Sequence, residues 1–207
     1  MNTKKTIKII ITCLAIIGLL FSVMWFIKNN DNKKPIKNKV EIIDNITEYG
    51  YKLDSNKTDI YKSLFKELST ILKKKNVDYE EYAKVVSKMF VADFYNLDNK
   101  IHKNDVGGTG FIHPDIKINF ILNAQNTIYN HLENNIYDNR KQELPIVEEI
   151  DIIEVKNQLY TYNGIVDKNA YNIKLKWTYK KDLGYQNEAN IIIVKEEKRV
   201  SIVELQN

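Results

Sequence analysis

Tyr171-Asn172-Ile173-Lys174-Leu175-Lys176-Trp177-Thr178-Tyr179 is the stretch that decides the fold. Large apolar residues alternate with polar ones at a period of two. Successive side chains of a strand point to opposite faces, so Tyr171, Ile173, Leu175, Trp177 and Tyr179 share a buried face. Asn172, Lys174, Lys176 and Thr178 share a wet one. A strand with one wet face belongs in an antiparallel sheet, because parallel sheets are covered on both sides.

The pattern continues outward. After a connection at Lys181-Asp182-Leu183-Gly184-Tyr185, residues Ala189 to Val194 read as a second strand. Glu196-Glu197-Lys198 turns the chain into a last one, Val200 to Leu205. On the other side, Ile146 to Val155 is rich in β-branched residues and reads as the first strand. Leu159-Tyr160-Thr161-Tyr162, ahead of Asn163-Gly164, either extends that strand or forms a small hairpin.

Upstream of Pro145 the period becomes helical. Ile60, Leu64, Leu68 and Leu72 stand four apart behind a capping residue, Thr58. A second helix opens at Asp78, with Glu81 in capping-box spacing, and its stripe of Tyr82, Val86, Met89, Phe90 and Leu97 runs toward Lys100. A third starts at Pro114-Asp115 and carries Ile121, Ala124, Ile128 and Leu132. Between these two lies Lys103 to Phe111, which holds three of the chain's seven glycines and reads as a tight turn. Farther upstream, Tyr49, Tyr51 and Leu53 alternate, so a short strand or extended segment docks on the domain there.

The N-terminal end has a different character. Ile9 to Ile27 is apolar and uncharged over nineteen residues, about 28 Å of helix at about 1.5 Å per residue. That length suits the hydrocarbon core of a bilayer. Thr12 and Ser22 can return their hydroxyls to the helix backbone, and Trp25 sits where an indole favours the headgroup level. A cleaved signal peptide would need small residues before the cut, and Trp25-Phe26-Ile27-Lys28 does not supply them. The division that follows is a basic tail at 1–8, a transmembrane anchor at 9–27, a linker at 28–54 and an α+β domain at 55–207. A short basic tail ahead of a first apolar segment is the pattern of a signal anchor. The expected address is a single-pass cell membrane protein with its C-terminal domain outside the cytoplasm.

Charge follows the same division. Residues 1–40 hold eight lysines and one aspartate, a charge of +7, so the remainder carries −3 against the overall +4. The basicity belongs to the membrane flank, where lysines meet anionic headgroups. A mildly acidic domain argues against nucleic-acid binding. The only cysteine, Cys13, lies within the apolar run, which leaves the domain without a disulfide or a cysteine metal site.

The fold class is therefore α+β: an N-terminal transmembrane helix, then three helices packed on a curved antiparallel sheet of about four strands. This order, with the Tyr171–Tyr179 strand pattern, resembles the NTF2-like fold, a cone. Within that fold it looks most like the membrane-tethered domains of VirB8-type and TcpC-type secretion and conjugation proteins. The Asn-Pro-x-Gly signature of the VirB8 type is absent, since Pro35, Pro114 and Pro145 follow Lys, His and Leu. Asp93-Phe94-Tyr95-Asn96-Leu97 through Gly107-Gly108, with Lys176 to Tyr185, is also similar to a set of bacterial anchored proteins, a likeness that implies no function.

Chemistry is sparse. Gly107-Gly108-Thr109-Gly110 lacks the Gly-Lys-Ser/Thr of a phosphate loop. His102, Asp105, His113 and Asp115 surround the same loop in no standard metal spacing, so no metal and no cofactor is expected. No catalytic pair can be assigned by spacing. If the cone holds a pocket, Asp93, Tyr95, Tyr160, Tyr162 and Trp177 line it, as in the ketosteroid isomerases that this layout resembles. The expected function is a noncatalytic, membrane-anchored interaction or assembly domain of the cell envelope, within a secretion or conjugation type of complex. Its partners would be the membrane and other envelope proteins or a second copy. The alternative is a small-molecule or lipid-fragment pocket, enzymatic or not.

Overall fold

The computed structural model describes residues 16–26, 28 and 40–206. The basic tail, the first part of the apolar run with Thr12 and Cys13, and residues 29–39 of the linker lie outside the described residues. Residues 16–26 form a helix, α1, exposed along its whole length. Ser22 Oγ donates to the Leu19 carbonyl at 2.8 Å, as a hydroxyl in an apolar helix should. Among the described residues no helix is long and apolar enough to cross a membrane. At about 1.5 Å per residue, α1 accounts for only part of the expected span.

Residues 40–135 and 140–206 make one compact unit. It opens with a hairpin, β1 (Ile42–Ile46) and β2 (Tyr51–Asp54), joined by a 3-10 turn at Thr47–Tyr49. Tyr49, Tyr51 and Leu53 are buried in the main core, so the docking segment is a small sheet of its own. Three helices follow: α2 (Asp59–Leu72), α3 (Tyr79–Phe94) and α4 (Pro114–Asn126). Thr58 caps α2 by accepting from the Tyr61 N–H, and Asp78 caps α3 by accepting from Glu80 and Glu81. The capping box is only half made, because the Glu81 carboxylate turns to Lys84 at 2.9 Å. Helix α3 stops at Phe94, short of Lys100, and α4 stops at Asn126, short of Leu132. In both cases the apolar stripe outlasts the helix, since Leu97 and Leu132 reach the core from turns.

The second half is a four-stranded antiparallel sheet in the order β3 (Val147–Tyr162), β4 (Ile165–Tyr179), β5 (Glu188–Glu196), β6 (Arg199–Gln206). Leu159–Tyr162 extends β3. Asn163 (φ 47) and Gly164 (φ 77) then form the two-residue turn, the left-handed pair that such hairpins need. Tyr171, Ile173, Leu175 and Trp177 all face the core, where β4 packs against α3, as their spacing predicts. β3 carries three register shifts, and bulges of this kind increase local twist. Tyr160 of β3 reaches Glu204 of β6 at 2.6 Å. Those strands are three spacings apart, about 14 Å in a flat sheet, so the sheet curls. The curl encloses a second, smaller apolar cluster of Ala170, Ile192, Val194 and Val203 beneath Tyr160 and Tyr162. The β6 edge is covered by Phe111–His113, where Ile112 pairs with Ile202 in parallel.

Candidate functional site

The sequence candidates separate into three places. Asp93, near the end of α3, is buried and takes three donors: Lys100 Nζ at 2.7 Å on one oxygen, Lys57 Nζ and the Gly108 N–H at 2.8 Å on the other. Burial pushes its pKa up, but the two ammoniums and the amide pull harder and hold it well below the usual carboxylate range. An acid of that strength is a poor proton acceptor near neutral pH, and both oxygens are occupied. Its geometry is that of a structural hub, tying the β2–α2 connection and the glycine loop to α3.

That hub explains the glycines. A side chain on Gly107 would place its Cβ 2.2 Å from the Asp93 carbonyl oxygen, and one on Gly108 would sit 2.7 Å from the Phe90 ring. Gly108 also has φ +71, a backbone that favours glycine. The Gly107 N–H goes to Tyr129 Oη at 3.1 Å. These two amides serve the fold, as expected of a tight turn. Lys57 and Lys100 carried no local sequence signal: one precedes α2, and the other follows α3 in a loop.

Tyr95 and Trp177 form the second place. Their rings meet at 4.3 Å and both are fully buried, so Trp177 is a core residue. Tyr95 also borders a cavity of about 530 Å³ between α4 and β6, with Phe94, Ile116, Phe120, Val203 and Leu205 as apolar walls. Asn119, Asn123, Thr127, Gln186 and Glu204 supply its polar groups. The Glu204 pKa is lowered, first by the hydrogen bond from Tyr160. Burial and that same bond push Tyr160 up to about 12.

Tyr160 and Tyr162 form the third place, on the curled end of β3. Tyr162 stands edge-on to His113 at 4.6 Å, and Asn163 at the hairpin tip donates to Asp115 of α4 at 2.6 Å. His113 caps α4 through Nδ1 at 3.3 Å from the Asp115 N–H, while its Nε2 lies 2.8 Å from Glu196. His102 Nδ1 accepts from the Asn104 N–H, and Asp105 accepts from the Ile101 N–H. Among the described residues no group of three or more histidine, cysteine or acidic side chains could hold a metal ion.

Large apolar side chains remain outside the core. On α4, Ile118 is 73% and Leu122 50% exposed; at the hairpin, Leu159 is 65% and Ile165 68% exposed. Asp115, Ile118 and Leu122 follow i, i+3, i+7 spacing and share one stripe of α4. The stripe begins at the contact with Asn163, two residues from Ile165.

Comparison with known proteins finds no family model, no curated protein and no solved structure that matches this chain.

Proposed function

We propose that the chain is a single-pass, membrane-anchored interaction or assembly domain of the cell envelope, with its α+β domain outside the cytoplasm. The apolar run at 9–27 and its basic flank supply the tether. The observation that carries the reading is the exposed apolar stripe of Ile118 and Leu122, beginning beside the hairpin tip with Ile165. Large exposed apolar groups close together on a folded domain mark a surface that meets another protein. Tethering raises the domain's effective concentration for partners in the same membrane. The curl of the sheet and the order of elements support an NTF2-like cone of the membrane-tethered secretion or conjugation type. A photo-crosslinking residue at Ile118, activated in intact cells, should give a discrete adduct with an envelope protein or a second copy. The same residue at exposed Lys141 should not. Monomer alone at both positions would contradict the reading.

The cavity of about 530 Å³ favours a second reading, a pocket for a small apolar molecule. Its volume falls within the usual range for ligand sites. With Asp93 held ionised and fully engaged, this reading is one of binding rather than acid–base catalysis. N-phenyl-1-naphthylamine should brighten on binding, and Asn123→Trp at the cavity wall should abolish the signal. An unchanged signal would remove the pocket.

A further inference from the structure

In front of the Asp93 hub lies a separate cavity of about 430 Å³. Its walls carry five cationic side chains, Lys52, Lys57, Lys100, Lys117 and Arg199, against three carboxylates, Asp54, Asp93 and Asp105. The chain beyond residue 40 carries −3, so this local excess runs against the domain's own charge. The imbalance is sharpest at the floor, where two ammoniums share the single Asp93 carboxylate. Lys100 is 4% exposed, and among the described residues Asp93 is the one hydrogen-bond partner of its ammonium, which has three protons to donate.

The back wall is aromatic. Tyr51 lies 5.8 Å and Tyr61 6.4 Å from Phe111, ring to ring. Arg199 stands 4.7 Å over Tyr51, and Lys57 5.1 Å over Tyr61, so a cation occupies each end. One Arg199 terminal nitrogen donates to the Gly110 carbonyl at 2.6 Å, while its Nε is buried without a partner. A buried ammonium in surroundings where positive charge outnumbers its counter-charge is costly. An anion in the cavity would remove that cost.

We propose that this cavity binds a compact dianionic oxoanion of the phosphate class, either the free ion or a phosphomonoester. Two excess positive charges match a dianion. Ammonium and guanidinium donors around one cavity suit an oxoanion, which accepts on several oxygens at once. The site is independent of the tether and of the apolar cavity beside α4.

The test is calorimetric titration of the full chain in nonionic detergent at constant ionic strength. Inorganic phosphate, glycerol 3-phosphate and formate are the titrants. Saturable one-to-one binding is expected for at least one phosphate compound, about tenfold tighter than for monovalent formate. The tighter of the two phosphate compounds distinguishes free ion from ester. Arg199→Gln should weaken binding by about tenfold, and Arg199→Lys should recover part of it. Lys117→Gln should weaken it less, and Lys176→Gln, on the exposed face of β4 and outside the cavity lining, should leave it unchanged. Circular dichroism establishes that each variant is folded; if Arg199→Gln is not, Lys117→Gln decides. Heats that never saturate, formate binding as tightly as phosphate, or a folded Arg199→Gln that titrates like wild type would overturn the proposal.

Discussion

Asp93 sets the chemistry of the domain at the scale of single residues. Replacing it with Asn leaves the buried Lys100 and the half-buried Lys57 without a counter-charge, which should cost about 3–5 kcal/mol in denaturant unfolding at neutral pH. The sign of the pH dependence follows from its depressed pKa. Asp93 contributes fully above the ordinary carboxylate pKa of about 3.9 and loses that contribution as pH falls toward its folded value. The gap between wild type and Asp93→Asn should therefore narrow below about pH 4; parallel stability curves down to that range would contradict the hub. The neighbouring glycines give an internal control. Gly108→Ala meets the Phe90 ring in a left-handed backbone and should cost roughly 2–4 kcal/mol. Gly110→Ala meets nothing within 4 Å and should fall within about 1 kcal/mol of wild type.

At the scale of elements, the sheet was more legible than the helices' ends. Tyr171 to Tyr179 announced its strand because alternation is a local property, and every residue of that stripe from Tyr171 to Trp177 is buried. The end of α3 was not legible, because Leu97 keeps the apolar spacing while Tyr95 already caps the helix. The reach of β3 was open between two forms, and the Asn163-Gly164 turn settles it as one long hairpin. Tyr160 and Tyr162 looked like companions of Asp93, yet the curl carries them to another face. Such placement depends on bulges and on contacts such as Tyr160 to Glu204, which no short-range pattern encodes. Gly164 supplies half of the left-handed turn, and Asn163 adds the link to Asp115. Asn163→Ala should lower stability by about 1–2 kcal/mol and loosen the hairpin tip from α4. Hydrogen exchange should then rise at Tyr162 and Ile165; unchanged protection there would show that the tip is held by other contacts.

At the scale of the whole molecule, a basic, apolar N-terminal segment precedes a mildly acidic α+β domain. We propose that the first holds the second at the outer face of a membrane. The sole cysteine makes this orientation accessible to labelling, because Cys13→Ser leaves a background without thiols. Lys176 lies exposed on the wet face of β4 and accepts a cysteine there without touching the core. The decisive measurement is labelling of Cys13→Ser, Lys176→Cys with a membrane-impermeant maleimide on intact, wall-stripped cells, followed by sedimentation of the membranes. An anchored, outward-facing domain should be fully labelled before lysis, and the labelled chain should be recovered in the membrane pellet. A thiol that reacts only after lysis, or a labelled chain that stays in the supernatant, would contradict the proposal.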